Sequence, residues 1–117
     1  MPINTYADVK QFISATLTAM GASALHAPHH EFWNTLSYTQ FTTGNVPGVS
    51  DANSGQPLRI CIPGDPNNSN IIEALSGTGT FSGAANDNDR MPYGGPPWFT
   101  QAQIDELADW IHRGCPE

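Results

Sequence analysis

Apolar side chains recur early in the chain at Val9, Phe12, Ile13, Leu17 and Met20, the spacing of one helix face. Thr5, with Asp8 three residues on, forms a weaker relative of a capping box ahead of that run, and Gly21 stops it. The pattern therefore predicts a helix over Tyr6 to Met20. A second helix is predicted at the other end, opened by Thr100 with Gln103 and carrying the stripe Ile104, Leu107, Ala108 and Ile111. Arg113 lies in its last turn, Gly114 suits the position after the cap, and Pro116 prevents continuation. Between them, Phe32, Trp33, Leu36 and Phe41 can line one face of a weaker helix from Pro28 to about Phe41. Ile71, Ile72 and Leu75 mark a short helix from Asn68 to Ser76, closed by Gly77. The run Leu58 to Ile62 is β-like but stands alone, too isolated to imply a sheet. Gly44 to Gln56, Gly77 to Asp89 and Tyr93 to Pro97 are rich in Gly, Asn, Ser and Pro and read as loops. The expectation is one all-α domain over residues 1–117 with long connections.

Composition narrows what such a domain can do. Four Lys and Arg stand against eleven Asp and Glu, a net charge of −7 across 117 residues. That balance argues against nucleic acid, whose phosphates need a basic patch, and against an anionic membrane surface. Eleven Gly and ten Pro point to a small core wrapped in turn-rich loops. No apolar run approaches the roughly 18 residues that span a bilayer. No charged start leads into an apolar stretch near Met1, so no export signal is visible. A complete chain would on this reading be cytoplasmic, and a trimmed one periplasmic or extracellular.

The last third carries the most specific pattern. Pro63-Gly64-Asp65-Pro66-Asn67-Asn68-Ser69 leads into Ile71 and Ile72, and Arg90-Met91-Pro92-Tyr93-Gly94-Gly95-Pro96-Pro97 follows. The chain then runs from Thr100 to Trp110-Ile111-His112-Arg113-Gly114-Cys115-Pro116-Glu117. In this order the segments resemble the small bacterial cytochrome c-type domains, over about residues 5–20 and 57–117. The resemblance implies a cytochrome c-like all-α fold, with Met91 in the place of the distal haem ligand. The departure is equally definite. Covalent haem needs Cys-x-x-Cys-His, whereas the corresponding segment reads Ala22-Ser23-Ala24-Leu25-His26. The only cysteines, Cys61 and Cys115, lie far apart in sequence, so thioether attachment is excluded.

Three readings follow for what occupies the haem position. In the first, the domain is a cofactor-free accessory or interaction module whose interior is refilled by side chains such as Leu25, Phe32, Trp33 and Phe41. It would dock on a protein partner or on itself through Tyr93 and Trp98. In the second, it is an electron-transfer protein holding haem non-covalently through His26 and Met91, a ligand pair that raises the reduction potential. In the third, His26, His29 and His30 bind a transition metal with Glu31 nearby, and His112 can join if the last helix packs close. Cys61 and Cys115 are either a disulfide closing 115 − 61 = 54 residues or two buried free thiols. Enzyme motifs are absent: there is no Gly-x-Ser-x-Gly, phosphate loop or His-Glu-x-x-His. Asn86 to Asp89 lacks the glycine and terminal glutamate of a calcium loop and reads as a solvated turn.

Overall fold

The computed structural model describes residues 3–21, 32–51, 54–78, 81, 91 and 98–117. The elements run in order as helix α1 (Tyr6–Met20), α2 (Phe32–Thr35), α3 (Tyr38–Thr43), strand β1 (Asn45–Ser50), β2 (Pro57–Arg59), a 3-10 turn (Pro66–Asn68), α4 (Asn70–Ser76) and α5 (Gln101–His112). The Thr5 hydroxyl accepts from the Asp8 amide, and the Asp8 carboxylate accepts from the Thr5 amide, so the first cap is a complete capping box. Thr100 and Gln103 do the same for α5. Both long helices lie within the bounds their patterns predict. Trp110, rather than Ala108, completes the buried face of α5.

Two expectations need correction. The domain is not all-α: helices account for 56% of the described residues, and β1 pairs antiparallel with β2 in a two-stranded sheet. Leu58, in a run that looked isolated in the sequence, is thus in a hairpin strand whose partner lies in the segment Gly44 to Gln56. Pro47 and Gly48 sit inside β1 and disguise its alternation, and the register shifts between the Asn45–Arg59 and Ser50–Pro57 pairs. The single weak helix ending near Phe41 is, within the described residues, two short ones. Ser37 interrupts them because its hydroxyl caps α3, with Gln40 completing another capping box.

The main core gathers around Phe41, which is 0% exposed. Its ring lies 5.0 Å from Tyr6 of α1, 6.0 Å from Phe32 of α2 and 6.2 Å from Trp110 of α5, centroid to centroid. Phe32 in turn meets Trp33 edge to face at 5.4 Å. The Trp33 indole donates to Ser14 Oγ at 3.1 Å, fixing α2 on α1. A smaller cluster of Leu58, Ala74 and Phe81 fills the space between hairpin and α4.

The Pro63 to Ser69 motif has a local physical explanation. Ser69 is fully buried; its hydroxyl accepts from the Ile62 amide at 2.8 Å and donates to the Asp65 carbonyl at 2.9 Å. The Asn68 amide binds the Asp65 carboxylate at 2.7 Å, and the Gly64 amide reaches the Ile111 carbonyl at 2.7 Å. The loop is thereby tied to the end of α5. No helix among the described residues is long and apolar enough to cross a membrane.

Two substitutions test this framework by urea unfolding. Phe41→Ala is expected to cost about 3–5 kcal/mol, as for other fully buried phenylalanines. Ser69→Ala is expected to cost about 1–3 kcal/mol, because one buried hydroxyl satisfies both an amide and a carbonyl. A loss below about 0.5 kcal/mol for either would contradict the packing described.

Candidate functional site

The described residues bring one chemically distinctive constellation together, and it lies at the end of α5. Backbone geometry there is set by a Schellman motif: the Gly114 amide donates to the Ile111 carbonyl at 2.9 Å and the Cys115 amide to the Trp110 carbonyl at 3.1 Å. Gly114 takes φ +91°, as the residue after a helix cap commonly does. Cys115 then also adopts a left-handed conformation, φ +56°, which costs a side-chain-bearing residue about 1 kcal/mol or more. Two hydrogen bonds hold it there. The Tyr38 hydroxyl donates to the Cys115 carbonyl, and the Trp110 indole donates to the Pro116 carbonyl at 3.0 Å.

This bend turns the Cys115 side chain into the core, where its Sγ lies 4.0 Å from Cys61 Sγ. Both residues are 0% exposed and both are free thiols. Cys61 lies two residues beyond β2, and its Sγ also lies 3.6 Å from the Phe41 carbonyl. Arg59 is half-buried beside the pair, with Nη2 on the Thr42 carbonyl at 2.9 Å. Its Nε is buried and has no hydrogen-bond partner among the described residues.

The electrostatics split the two thiols. The hydrogen bond to Cys115 holds Cys61 protonated, and burial and the neighbouring sulfur push the same way, so Cys61 ionises well above the usual thiol range. The same hydrogen bond lowers Cys115, against burial, and the Arg59 guanidinium adds to that lowering. The tyrosines around the pair are shifted upward. Burial pushes Tyr6 to about 12, with Cys61 adding to it, and burial likewise raises Tyr38.

The other sequence-derived candidates are distributed differently. His26, His29, His30, Tyr93 and Leu25 lie outside the described residues. Met91 is partly buried, packs against both hydrophobic clusters, and its amide donates to the Ala74 carbonyl at 2.9 Å. Trp98 is half-buried. Among the described residues no three His, Cys, Asp or Glu side chains are placed to hold a metal. Phe32, Trp33 and Phe41 are all buried in the same cluster. Sequence reasoning missed Arg59 and Tyr38. The first carried a signal, since Arg59 and Cys61 are two apart in an extended run and so share a face. Tyr38 carried none, because its contact with Cys115 spans 77 residues.

Comparison with protein-family models, with curated proteins and with solved structures found no match.

Tyr6 gives this region a measurable pH dependence. Its hydroxyl donates to the Leu36 carbonyl at 2.8 Å and approaches that of Trp33 at 3.2 Å, while Lys10 sits 4.9 Å over the ring. A phenol raised from 10.0 to about 12 binds its proton more tightly when folded than when unfolded. Its contribution is thus complete below about pH 10 and is lost as pH rises through about 12. Stability is expected to fall by roughly 2–3 kcal/mol over that interval from this group. Tyr6→Phe should be less stable at pH 8 yet show a shallower loss between pH 10 and 12. Parallel curves for the two proteins would contradict the assignment.

Proposed function

We propose that this chain is a small accessory or interaction module that carries no covalent haem and fills its interior with its own side chains. The observation that supports this reading is the continuous aromatic cluster of Tyr6, Phe32, Trp33, Phe41 and Trp110, all buried in one core. Tyr6, Phe32 and Trp110 stand at ring-contact distance from Phe41, and dense packing there leaves little latitude for a guest of porphyrin size. The acidic balance, −7, directs the module toward a protein partner or a second copy of itself rather than toward nucleic acid. Trp98 and Tyr93 are the anchor residues this reading nominates, since Trp and Tyr carry a large share of binding energy at protein interfaces.

The reading is tested by titrating the purified protein with hemin and recording the Soret region. The expected spectrum is the sum of protein and free hemin, unchanged in His26→Ala and Met91→Ala. A sharp band saturating at one equivalent and lost in either variant would replace this reading with non-covalent haem held by His26 and Met91. The docking role is tested by sedimentation over a range of concentrations, alone and with co-purifying proteins. Association is expected to weaken about 10-fold or more in Trp98→Ala, the loss typical of an interface anchor. Unchanged affinity would remove Trp98 from the surface.

A further inference from the structure

We propose that Cys61 and Cys115 form a redox-dependent staple: oxidation joins their sulfurs in a disulfide that locks the segment following α5 onto the strand end beneath Phe41. The inference is independent of whether the domain binds a cofactor or docks on a partner. It stands first on geometry. The sulfurs are already 4.0 Å apart, so closing to the roughly 2.0 Å of a disulfide asks about 1 Å from each. The left-handed backbone of Cys115 is what aims its side chain inward, and it persists because Tyr38 and Trp110 hold the carbonyls of Cys115 and Pro116. Cys115 is the only non-glycine residue at positive φ among the described residues. The strained conformation thus coincides with the side chain that completes the pair.

The chemistry of the pair also has a direction. The oxidant is a disulfide of another thiol compound, of the glutathione class. The Cys115 thiolate, favoured by the hydrogen bond from Cys61 and by the nearby Arg59 guanidinium, attacks one sulfur of that disulfide. One thiolate departs, and a mixed disulfide remains on Cys115. Cys61 then gives its proton to the thiolate released in the first step and attacks the Cys115 sulfur, expelling the second thiolate, which takes a proton from water. Two protein thiols and one disulfide become one protein disulfide and two thiols, with two electrons passed to the oxidant. Cys115 is the sulfur that local opening exposes first, because its segment beyond the helix is held by hydrogen bonds, those from Tyr38 and the Trp110 indole among them, whereas Cys61 lies under Phe41.

The energetic consequence is large for a domain of this size. The bond closes a loop of 115 − 61 = 54 residues and removes that freedom from the unfolded chain. The test equilibrates the whole chain for several hours in oxidised or reduced glutathione, blocks remaining thiols under denaturing conditions, and weighs the product. The oxidised sample is expected to carry no blocking group and no glutathione, to be 2 Da lighter than the dithiol chain, and to melt about 10 °C or more higher than the reduced one. Dithiothreitol should return it to the reduced mass and melting temperature. Cys61→Ser and Cys115→Ser should each melt at one temperature under both conditions. Should either variant fail to fold, the wild-type masses and melting temperatures decide alone. Two blockable thiols after oxidation, glutathione adducts in place of the internal bond, or an internal bond without a rise in melting temperature would each overturn the proposal.

Discussion

Phe41, on α3, is where α1, α2 and α5 meet. Its ring touches α1 through Tyr6, α2 through Phe32 and α5 through Trp110, so it joins elements from both ends of the chain. A chain with 21 glycines and prolines among 117 residues must order much backbone for each apolar side chain it buries. A few large rings packed on one another are the economical solution, because each brings more area than an aliphatic residue and adds edge-to-face attraction. The polar atoms at the rim then decide orientation. Tyr6 binds the end of α2, Trp33 binds Ser14 on α1, and Arg113 reaches the Ile3 carbonyl from the end of α5.

The segment from Arg59 to Ile72 is the second constraint, and it transmits the position of α5 to the hairpin. Gly64 binds Ile111, Ser69 bridges Ile62 and Asp65, and the Ile71 amide donates to the Ile60 carbonyl. Asn70 adds a bond to the Arg59 carbonyl at 2.7 Å. These contacts account for much of the Pro63 to Ser69 motif as loop chemistry: Ser69 bridges the Ile62 amide and the Asp65 carbonyl, and the Asn68 amide binds the Asp65 carboxylate. A motif of this kind is specific in sequence because its hydrogen-bond geometry is specific. It therefore speaks to how the chain folds without saying what the chain binds.

The long helices were legible because caps and periodicity agree at both ends. The hairpin was not, since Pro47 and Gly48 interrupt the alternation of β1, and β2 is only three residues long. A two-stranded sheet is defined by pairing across the turn, and pairing has no local signature when one strand is irregular. The break between α2 and α3 had a readable cause in Ser37 and Gln40, which form a capping box inside an apparently continuous apolar pattern. Of the site, the two cysteines and the core rings were visible as residue types, and the third dimension supplied their neighbours. Arg59 was within reach of a period-two reading of Leu58 to Ile62, but the Tyr38 contact belongs wholly to tertiary structure.

The aromatic core and the thiol pair share one interior. The rings around Phe41 supply a large buried surface to the small domain from the chain itself. The main core they make includes Met91 at its margin, Ile60 and Cys61 at the strand end, and Cys115 at the end of α5. Two neutral thiols fit that interior at little cost, since a thiol is a small and weakly polar group. An ionised pair would not fit, because two anions 4.0 Å apart in a dry interior repel strongly and, among the described residues, only the Arg59 guanidinium acts on the pair to compensate. The stable states of this interior are therefore the dithiol and the disulfide, with a single thiolate as the species that connects them. Packing, rather than exposure, makes the pair discriminate between redox conditions: it tolerates both neutral forms and penalises the doubly charged one.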